Sequence, residues 1–175
     1  GKRERWRIAE QVGLPRARVR EAFRALAPAG FLVRLPNRHM QVSRLEPDHV
    51  SHIFQAIAAM ATALFSLVPA AAGESLATRA RELGHPGERT RELAFHQALI
   101  SYIDNRYLEK IYQQFLDGYI GYVILYLKED NQESAQILSS LMDAIQQGDR
   151  AEIAQETQRY FLSLAEIMRQ HMKDW

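Results

Sequence analysis

Apolar residues recur with the period of an α-helix along most of the chain, and this period marks the segments that we expect to be helical. The clearest short example is the stretch 16–26, where four apolar residues are spaced at i, i+3, i+4 and i+7. These residues are Val19, Ala22, Phe23 and Leu26. Such spacing places them on one side of a helix with about 3.6 residues per turn. Pro15 suits the first turn of this helix, where an N–H group is not needed.

Two short apolar runs follow Gly30, at which the helical pattern stops. Residues 31–35 and 40–43 have the pattern of two strands around a Pro-Asn-Arg-His turn. A short helical pattern at 6–12 precedes the tight corner expected at Gly13. Helix, turn, helix and hairpin in this order are typical of a winged helix-turn-helix. In that fold the second helix enters the DNA major groove and the hairpin touches the flanking backbone or minor groove.

The chain beyond residue 43 has no strand pattern and reads as an all-α antiparallel bundle of about five or six helices joined by short loops. The longest predicted helix spans 107–128 and carries an aromatic stripe. Asp149, followed three residues later by Glu152, predicts the start of the last helix through a capping box. The predicted fold is therefore mostly α, with an N-terminal winged helix-turn-helix before a helical bundle.

The stretch 50–68 is apolar nearly all round, so a membrane span has to be considered, since about 20 apolar residues are enough. His52, Gln55 and Thr62 interrupt the run, and no Lys or Arg flanks it. We therefore expect no membrane span, but a helix buried between other helices or at a dimer interface.

Charge divides the chain into a basic head and an acidic body. Residues 1–42 hold ten Lys and Arg against three Asp and Glu, a balance of +7, whereas the remainder has a balance of −6. A basic head favours nucleic acid through the release of counterions from phosphates. The candidate DNA-binding residues are Arg16, Arg18, Arg20, Arg24, Arg38 and His39. The alternative is a solvated basic face without a partner.

Composition excludes disulfides and cysteine-ligated zinc, because the chain contains no cysteine. We expect a cytoplasmic protein, since no signal peptide pattern precedes the first helix. The sequence contains no Gly-rich phosphate loop, no HExxH motif and no recognisable catalytic triad order, so we expect no enzyme activity.

The run GLPRARVREAF at residues 13–23 resembles the DNA-binding motif of the GntR family of bacterial transcription regulators, typically Gly-Val-Ser-Arg-Thr-Pro-Val-Arg-Glu-Ala-Leu. The resemblance implies that Arg16 and Arg20 contact DNA. It also implies a winged helix-turn-helix domain at 1–44, from which we expect the N-terminal helix to be missing. Three residues depart from the family pattern, namely Trp6, Pro15 and His39.

Residues 45–175 resemble the FCD domain, the ligand-sensing domain of FadR-type GntR regulators, most clearly in AFHQAL and LMDAIQQGD. The resemblance implies effector binding and dimerisation in this part of the chain. It implies a homodimer on a palindromic operator, whose affinity for DNA responds to a small molecule. Repression is the commoner direction of control in the family.

Many FCD domains hold a divalent metal between one Asp and three His. Here Glu92 and His96 occupy the first two places, whereas Leu138 and Tyr160 stand where the other histidines would be. Two imidazoles are therefore lost, and we expect no metal or other cofactor; if a metal binds, Glu92 and His96 are its ligands. The alternative role of His96 is a hydrogen-bonded core residue paired with Glu92 or Tyr160.

The long predicted helix presents tyrosines where the family's pocket commonly has arginines. A cavity lined in this way would not offset the cost of desolvating a carboxylate. The sequence therefore favours an apolar or aromatic effector, or one whose charged group stays at the mouth. The candidate ligand-binding residues are Glu92, His96, Tyr119, Tyr122, Leu138 and Tyr160. Alternatively, the tyrosines only pack the core.

Two rival functions stay open at this point. The chain could be a small-molecule-binding bundle without DNA-binding activity, or a metal-dependent organic-acid sensor or enzyme centred on His96.

Overall fold

The computed structural model describes residues 10–27, 31–34, 36, 40–42, 45–83, 88–129 and 132–173. The chain divides into two compact units, Gly1–Leu45 and Glu46–Trp175.

The first unit contains helix α1 (Arg16–Leu26) and a two-stranded antiparallel sheet of β1 (Leu32–Arg34) and β2 (Met40–Val42). The turn before α1 contains Gly13, whose φ of 63° lies in the left-handed region that glycine adopts without strain. Most of the predicted helix at 6–12 lies outside the described residues. The predicted turn residues Arg38 and His39 lie outside them entirely.

The sequence placed Pro15 in the first turn of α1. In the structure it is instead the N-cap residue, directly before the helix. Proline has no side-chain oxygen with which to cap the helix, and no side-chain hydrogen bond is made there. Val19 is buried and Phe23 is half-buried, whereas Ala22 and Leu26 of the predicted apolar stripe are exposed. Leu32 of β1 is buried. The sequence pattern thus predicted the helix and the two strands correctly, but not the burial of the whole stripe.

Every regular element in the described residues of the second unit is a helix, which confirms the predicted all-α class for this part of the chain. Its elements are α2 (Pro47–Phe65), α3 (Ala70–Leu83), α4 (Glu88–Ile100), α5 (Arg106–Phe115), π1 (Leu116–Ile120), π2 (Val123–Leu127), α6 (Gln132–Gln147) and α7 (Arg150–Lys173). Helix α2 packs along α7, and α3 packs against α4 and α6. Helix α6 also packs against α7, while π2 packs against both α4 and α7.

Helix α2 is the apolar stretch that raised the question of a membrane span. Its apolar side is buried within the bundle, with Phe54, Ile57 and Leu64 fully enclosed. In the part of the chain that the structure describes, no helix is both long and apolar enough to cross a bilayer. Packing against other helices thus accounts for its apolar side, in line with the first of the two predicted roles.

Two helix starts are fixed by side chains, and the sequence predicted the one at Asp149. The Asn105 side chain accepts hydrogen bonds from the backbone N–H groups of Tyr107 and Leu108, both at 3.1 Å. The Asp149 carboxylate accepts one from the backbone of Ala151 at 2.9 Å. Each bond satisfies an N–H group that has no partner within its helix.

The prediction of a single long helix over 107–128 is wrong, because α5 ends at Phe115 and two π-helical segments follow. The backbone at Gly118 leaves the helical region altogether (φ −106°, ψ −109°). The error has a physical cause, since the aromatic stripe continues through this stretch and its periodicity does not reveal a change from i+4 to i+5 hydrogen bonding.

Gly73 lies inside a helix, although glycine usually weakens a helix interior. Helix α3 begins at Ala70 and continues through this glycine. A Cβ atom at Gly73 would lie 2.5 Å from the Cα of Gln146. The glycine therefore permits close approach of α3 and α6 and does not break the helix.

Candidate functional site

Exposed arginines of α1 form the first candidate site. Arg18, Arg20 and Arg24 are exposed, whereas Val19 of the same helix is buried. Arg18 forms a surface ion pair with Glu21 at 3.4 Å, with side chains 75% and 63% exposed. An exposed pair of this kind is weak. Arg20 and Arg24, one turn apart, form no ion pair with any described residue.

The remaining three predicted DNA-binding residues are only partly placed. Arg16 is the first residue of α1, but its side chain lies outside the described part of the chain. Arg38 and His39 lie outside it entirely. The structure thus places three of the six candidates, all of them on one exposed helix.

A buried cluster of five polar side chains forms the second candidate site, inside the bundle. Its members are Glu92 and His96 on α4, Tyr112 on α5, Lys128 directly after π2, and Tyr160 on α7. Glu92 and His96 are four residues apart, so α4 presents them on one face. The cluster thus brings together residues of α4, α5, the end of π2 and α7 in the core of the second unit.

Hydrogen bonds connect the cluster from one end to the other. The Tyr112 hydroxyl lies 2.7 Å from Nδ1 of His96, and Nε2 of His96 lies 2.8 Å from the Tyr160 hydroxyl. The Tyr160 hydroxyl donates to Oε1 of Glu92 at 2.5 Å. The Lys128 ammonium donates to the other carboxylate oxygen, Oε2, at 2.6 Å.

The direction of these bonds follows from the donors and acceptors available. Because the Tyr160 proton goes to Glu92, the hydroxyl oxygen of Tyr160 can only accept from His96. The proton of the neutral imidazole is therefore on Nε2, and Nδ1 accepts from Tyr112. All protons in the cluster thus point towards the Glu92 carboxylate, which is the final acceptor.

Burial controls the protonation of this cluster. Desolvation, and secondly the charge of Lys128, lower the pKa of His96 from 6.5 to about 3, so the imidazole is neutral. Burial raises the pKa of Tyr112 well above its usual value. Burial and the adjacent Glu92 carboxylate do the same to the pKa of Tyr160. The only charges are therefore those of Glu92 and Lys128, which form an ion pair.

Lys128 was not predicted as a site residue, because the sequence suggested only that it ends a long helix. Its backbone is extended, and its N–H donates to the carbonyl of Val123 at 2.8 Å. The ammonium also lies 5.9 Å from the centre of the Tyr160 ring. The side chains of Lys128 and Glu92 are only 6% and 4% exposed. The signal available in the sequence was Glu92, since a carboxylate on a buried helix face requires a cation.

The predicted ligand-binding residues are brought together only in part. Glu92, His96 and Tyr160 lie in the hydrogen-bonded cluster, as the core-histidine interpretation of His96 anticipated. Tyr119 is buried in π1, and burial raises its pKa. Tyr122 is half-buried beside Tyr126, with their ring centres 5.7 Å apart.

Leu138, the last of the predicted ligand-binding residues, is half-buried on α6.

The sequence did not single out Tyr112 or Thr157 as site residues. Thr157 is fully buried on α7, and its hydroxyl has no hydrogen-bond partner among the described residues. A buried hydroxyl without a partner is rare in folded proteins.

The cluster does not fit a divalent metal ion. Both ring nitrogens of His96 and both carboxylate oxygens of Glu92 already have hydrogen-bond partners within the cluster. A buried ammonium beside Glu92 would also repel a second cation. Across the ranges that the structure describes, no three His, Cys, Asp or Glu side chains come close enough together to ligate a metal.

Comparison with known protein families identifies the second unit. The FCD domain family matches residues 42–173. The chain belongs to the FCD domain family. The match covers about three quarters of the sequence and confirms the predicted FCD domain.

Two solved structures share the fold of this FCD protein. One is a GntR-family transcriptional regulator from Pseudomonas syringae pv. tomato str. DC3000, with 16% identity, a TM-score of 0.57, and coverage of 98% of this chain and 78% of that one. The other is E. coli McbR/YncC, with 19% identity, a TM-score of 0.54, and coverage of 95% and 86%. The similarity agrees with the predicted resemblance to GntR regulators. A search of curated proteins found no match.

Proposed function

We propose that this FCD protein is a DNA-binding transcription regulator whose affinity for its operator is controlled by a small-molecule effector in the helical unit. The observation that carries the proposal is the order of elements. An arginine-bearing helix with exposed Arg18, Arg20 and Arg24, followed by a hairpin, precedes the FCD domain. A DNA-binding protein of this kind acts in the cytoplasm.

In this proposal α1 is the recognition helix of a winged helix-turn-helix, and β1 and β2 belong to its wing. Arg16 and Arg20 contact bases and phosphates, while the neighbouring cations contact phosphates. Those neighbours are Arg18, Arg24, Arg38 and His39. Because the chain would bind as a homodimer through its helical unit, the operator is palindromic, with half-sites about one helical turn of DNA apart.

The effector in this proposal has an apolar or aromatic body. The Glu92–Lys128 pair supports this choice, because its two charges neutralise each other and leave no cation in excess to hold a carboxylate. Apolar surface for this body comes from Tyr119 on π1, Tyr122 between π1 and π2, and Leu138 on α6. One polar atom on the effector would satisfy the Thr157 hydroxyl.

Control follows from the linkage between the two binding events. An effector that binds the DNA-bound form less tightly weakens operator binding, and the operator weakens effector binding by the same factor. This direction corresponds to a repressor that is released by its effector. No catalytic step is part of this proposal.

Selection from a pool of randomised DNA duplexes tests the DNA-binding half of the proposal. We expect rounds of selection with the purified chain to enrich a palindromic consensus. An Arg16→Ala/Arg20→Ala double variant should enrich none. Failure of the unsubstituted chain to enrich any sequence would contradict the proposal and would favour a bundle that binds small molecules only.

The effector half is tested by mass spectrometry of small molecules that copurify with the protein, followed by thermal shift with each compound. We expect at least one aromatic or apolar compound to raise the melting temperature, and Thr157→Val to reduce that shift. If no such compound copurifies or stabilises, while Zn²⁺ or Ni²⁺ does, the effector class is wrong.

A further inference from the structure

The buried cluster has one anionic end, and this determines what else it must contain. Tyr112, His96 and Tyr160 all donate towards Glu92, and their chain of bonds supplies no positive charge. An ionised carboxylate that is removed from water needs a nearby cation as well as hydrogen bonds. The core around Glu92 therefore has to contain a cation.

We propose that Lys128 is the resident cation of this cluster, in the place that the family resemblance implies for a divalent metal, so that the helical unit needs no metal ion. Its ammonium lies 2.6 Å from Oε2 of Glu92, on the side of the carboxylate that Tyr160 leaves free. The pair joins α4 to the end of π2, across a sequence separation of 36 residues.

The position of Lys128 is fixed by the backbone as well as by charge. Its N–H donates to the carbonyl of Val123, which closes the last turn of π2 and keeps the start of the side chain next to the bundle core. The ammonium then reaches both Glu92 and the face of the Tyr160 ring. Lys128 therefore contacts Glu92, which is one of the two ligands expected for a metal at this place, together with the ring of Tyr160.

The bonds that His96 and Glu92 already make explain why a metal would not displace this lysine. His96 would have to give up its bond to Tyr112 or to Tyr160 before either nitrogen could ligate. Glu92 would have to exchange a charge-assisted bond for a metal bond, and Leu138 offers no ligand atom. A carboxylate and one imidazole are too few protein ligands for a tight zinc site.

Metal binding by the unsubstituted protein is the first test, and it depends neither on DNA nor on an effector. The protein is treated with EDTA, dialysed, and heated with and without ZnCl₂, NiCl₂ or MnCl₂ while its unfolding is recorded. Elemental analysis of untreated protein accompanies this measurement. We expect no shift in the melting temperature and less than about one tenth of a metal ion per chain. A saturable increase in the melting temperature with any of the three metals would overturn the proposal.

A double-mutant cycle is the second test. Lys128→Met leaves Glu92 buried without a cation, and Glu92→Gln leaves the ammonium without an anion. Each single variant should lower the melting temperature by more than about 6 °C. The combined variant Glu92→Gln/Lys128→Met should lose less than the sum of the two, because the two charges are removed together.

Lys110→Met is the matched control, since Lys110 is exposed on α5 and its change should leave the melting temperature within about 1 °C. Strictly additive losses in the cycle would show that Lys128 does not neutralise Glu92. If Lys128→Met does not fold, the metal titration of the unsubstituted chain still decides the question, because it requires no variant.

Discussion

Nε2 of His96 lies 2.8 Å from the hydroxyl of Tyr160, and this contact fixes the proton of the imidazole on that nitrogen. The hydroxyl has one proton, which it gives to Glu92, so it meets His96 only as an acceptor. A single carboxylate thereby orients residues on three helices of the bundle. The core of this FCD domain depends on a directed chain of hydrogen bonds in addition to apolar packing.

Removal of the Tyr160 hydroxyl should reduce stability more than the loss of one ordinary hydrogen bond. Tyr160→Phe leaves the Nε2 proton of His96 and Oε1 of Glu92 buried without partners. We expect a loss of about 2–4 kcal/mol in the free energy of unfolding, measured by urea denaturation followed by circular dichroism. Tyr126→Phe is the control, since Tyr126 is 72% exposed and its change should be almost neutral. Equal stability of both variants would mean that the cluster is not bonded as described.

The pH dependence of stability should reveal the buried imidazole. The pKa of His96 falls from 6.5 to about 3 on folding, so the unfolded chain takes up the proton first. Its contribution to stability is complete above about pH 6.5 and is lost as the pH falls towards 3.

We therefore expect the unsubstituted protein to lose about 2 kcal/mol more than His96→Gln between pH 7.5 and pH 5. His52→Gln, an exposed change on α2, should keep the slope of the unsubstituted protein. The measurement is urea unfolding at the two pH values. An unchanged slope in His96→Gln would show that folding does not lower the pKa of His96.

Gly73 should not tolerate even the smallest side chain, although a glycine inside a helix normally gains stability on replacement by alanine. The new Cβ would lie 2.5 Å from the Cα of Gln146, so α3 and α6 would have to separate. We expect Gly73→Ala to cost about 1–3 kcal/mol, against a gain of about 1 kcal/mol from helix propensity alone. Glu74→Ala, an exposed neighbour, is the control. A gain in the melting temperature of Gly73→Ala would contradict the close helix contact.

Much of the fold could be predicted from local signals. Asp149 marks a helix start by side-chain chemistry that acts within one turn, and the structure confirms this prediction. Asn105 and Pro47 are local signals of the same kind at two other helix starts. The π-helical segments could not be predicted in this way. A change of hydrogen-bonding period at Gly118 leaves the sequence pattern of aromatic residues almost unaltered.

Only the part of the candidate site that lies on one face of α4 could be predicted from the sequence. Glu92 and His96 are neighbours because of their spacing on α4, which the sequence states directly. Lys128 reaches them through tertiary packing from 36 residues away along the chain, and a lysine at the end of a helix is normally exposed. The loss of the family's histidines at Leu138 and Tyr160 was visible in the sequence, but the cation beside Glu92 was not.

The central claim, that α1 binds operator DNA, is tested most directly by equilibrium titration of a labelled duplex that carries the selected palindrome, at fixed salt. Arg20→Ala should weaken binding by about 5-fold to 150-fold, which corresponds to about 1–3 kcal/mol for a base contact. Arg150→Ala, an exposed arginine at the start of α7, should stay within about twofold of the unsubstituted protein. Equal affinity of Arg20→Ala and the unsubstituted protein would contradict the account.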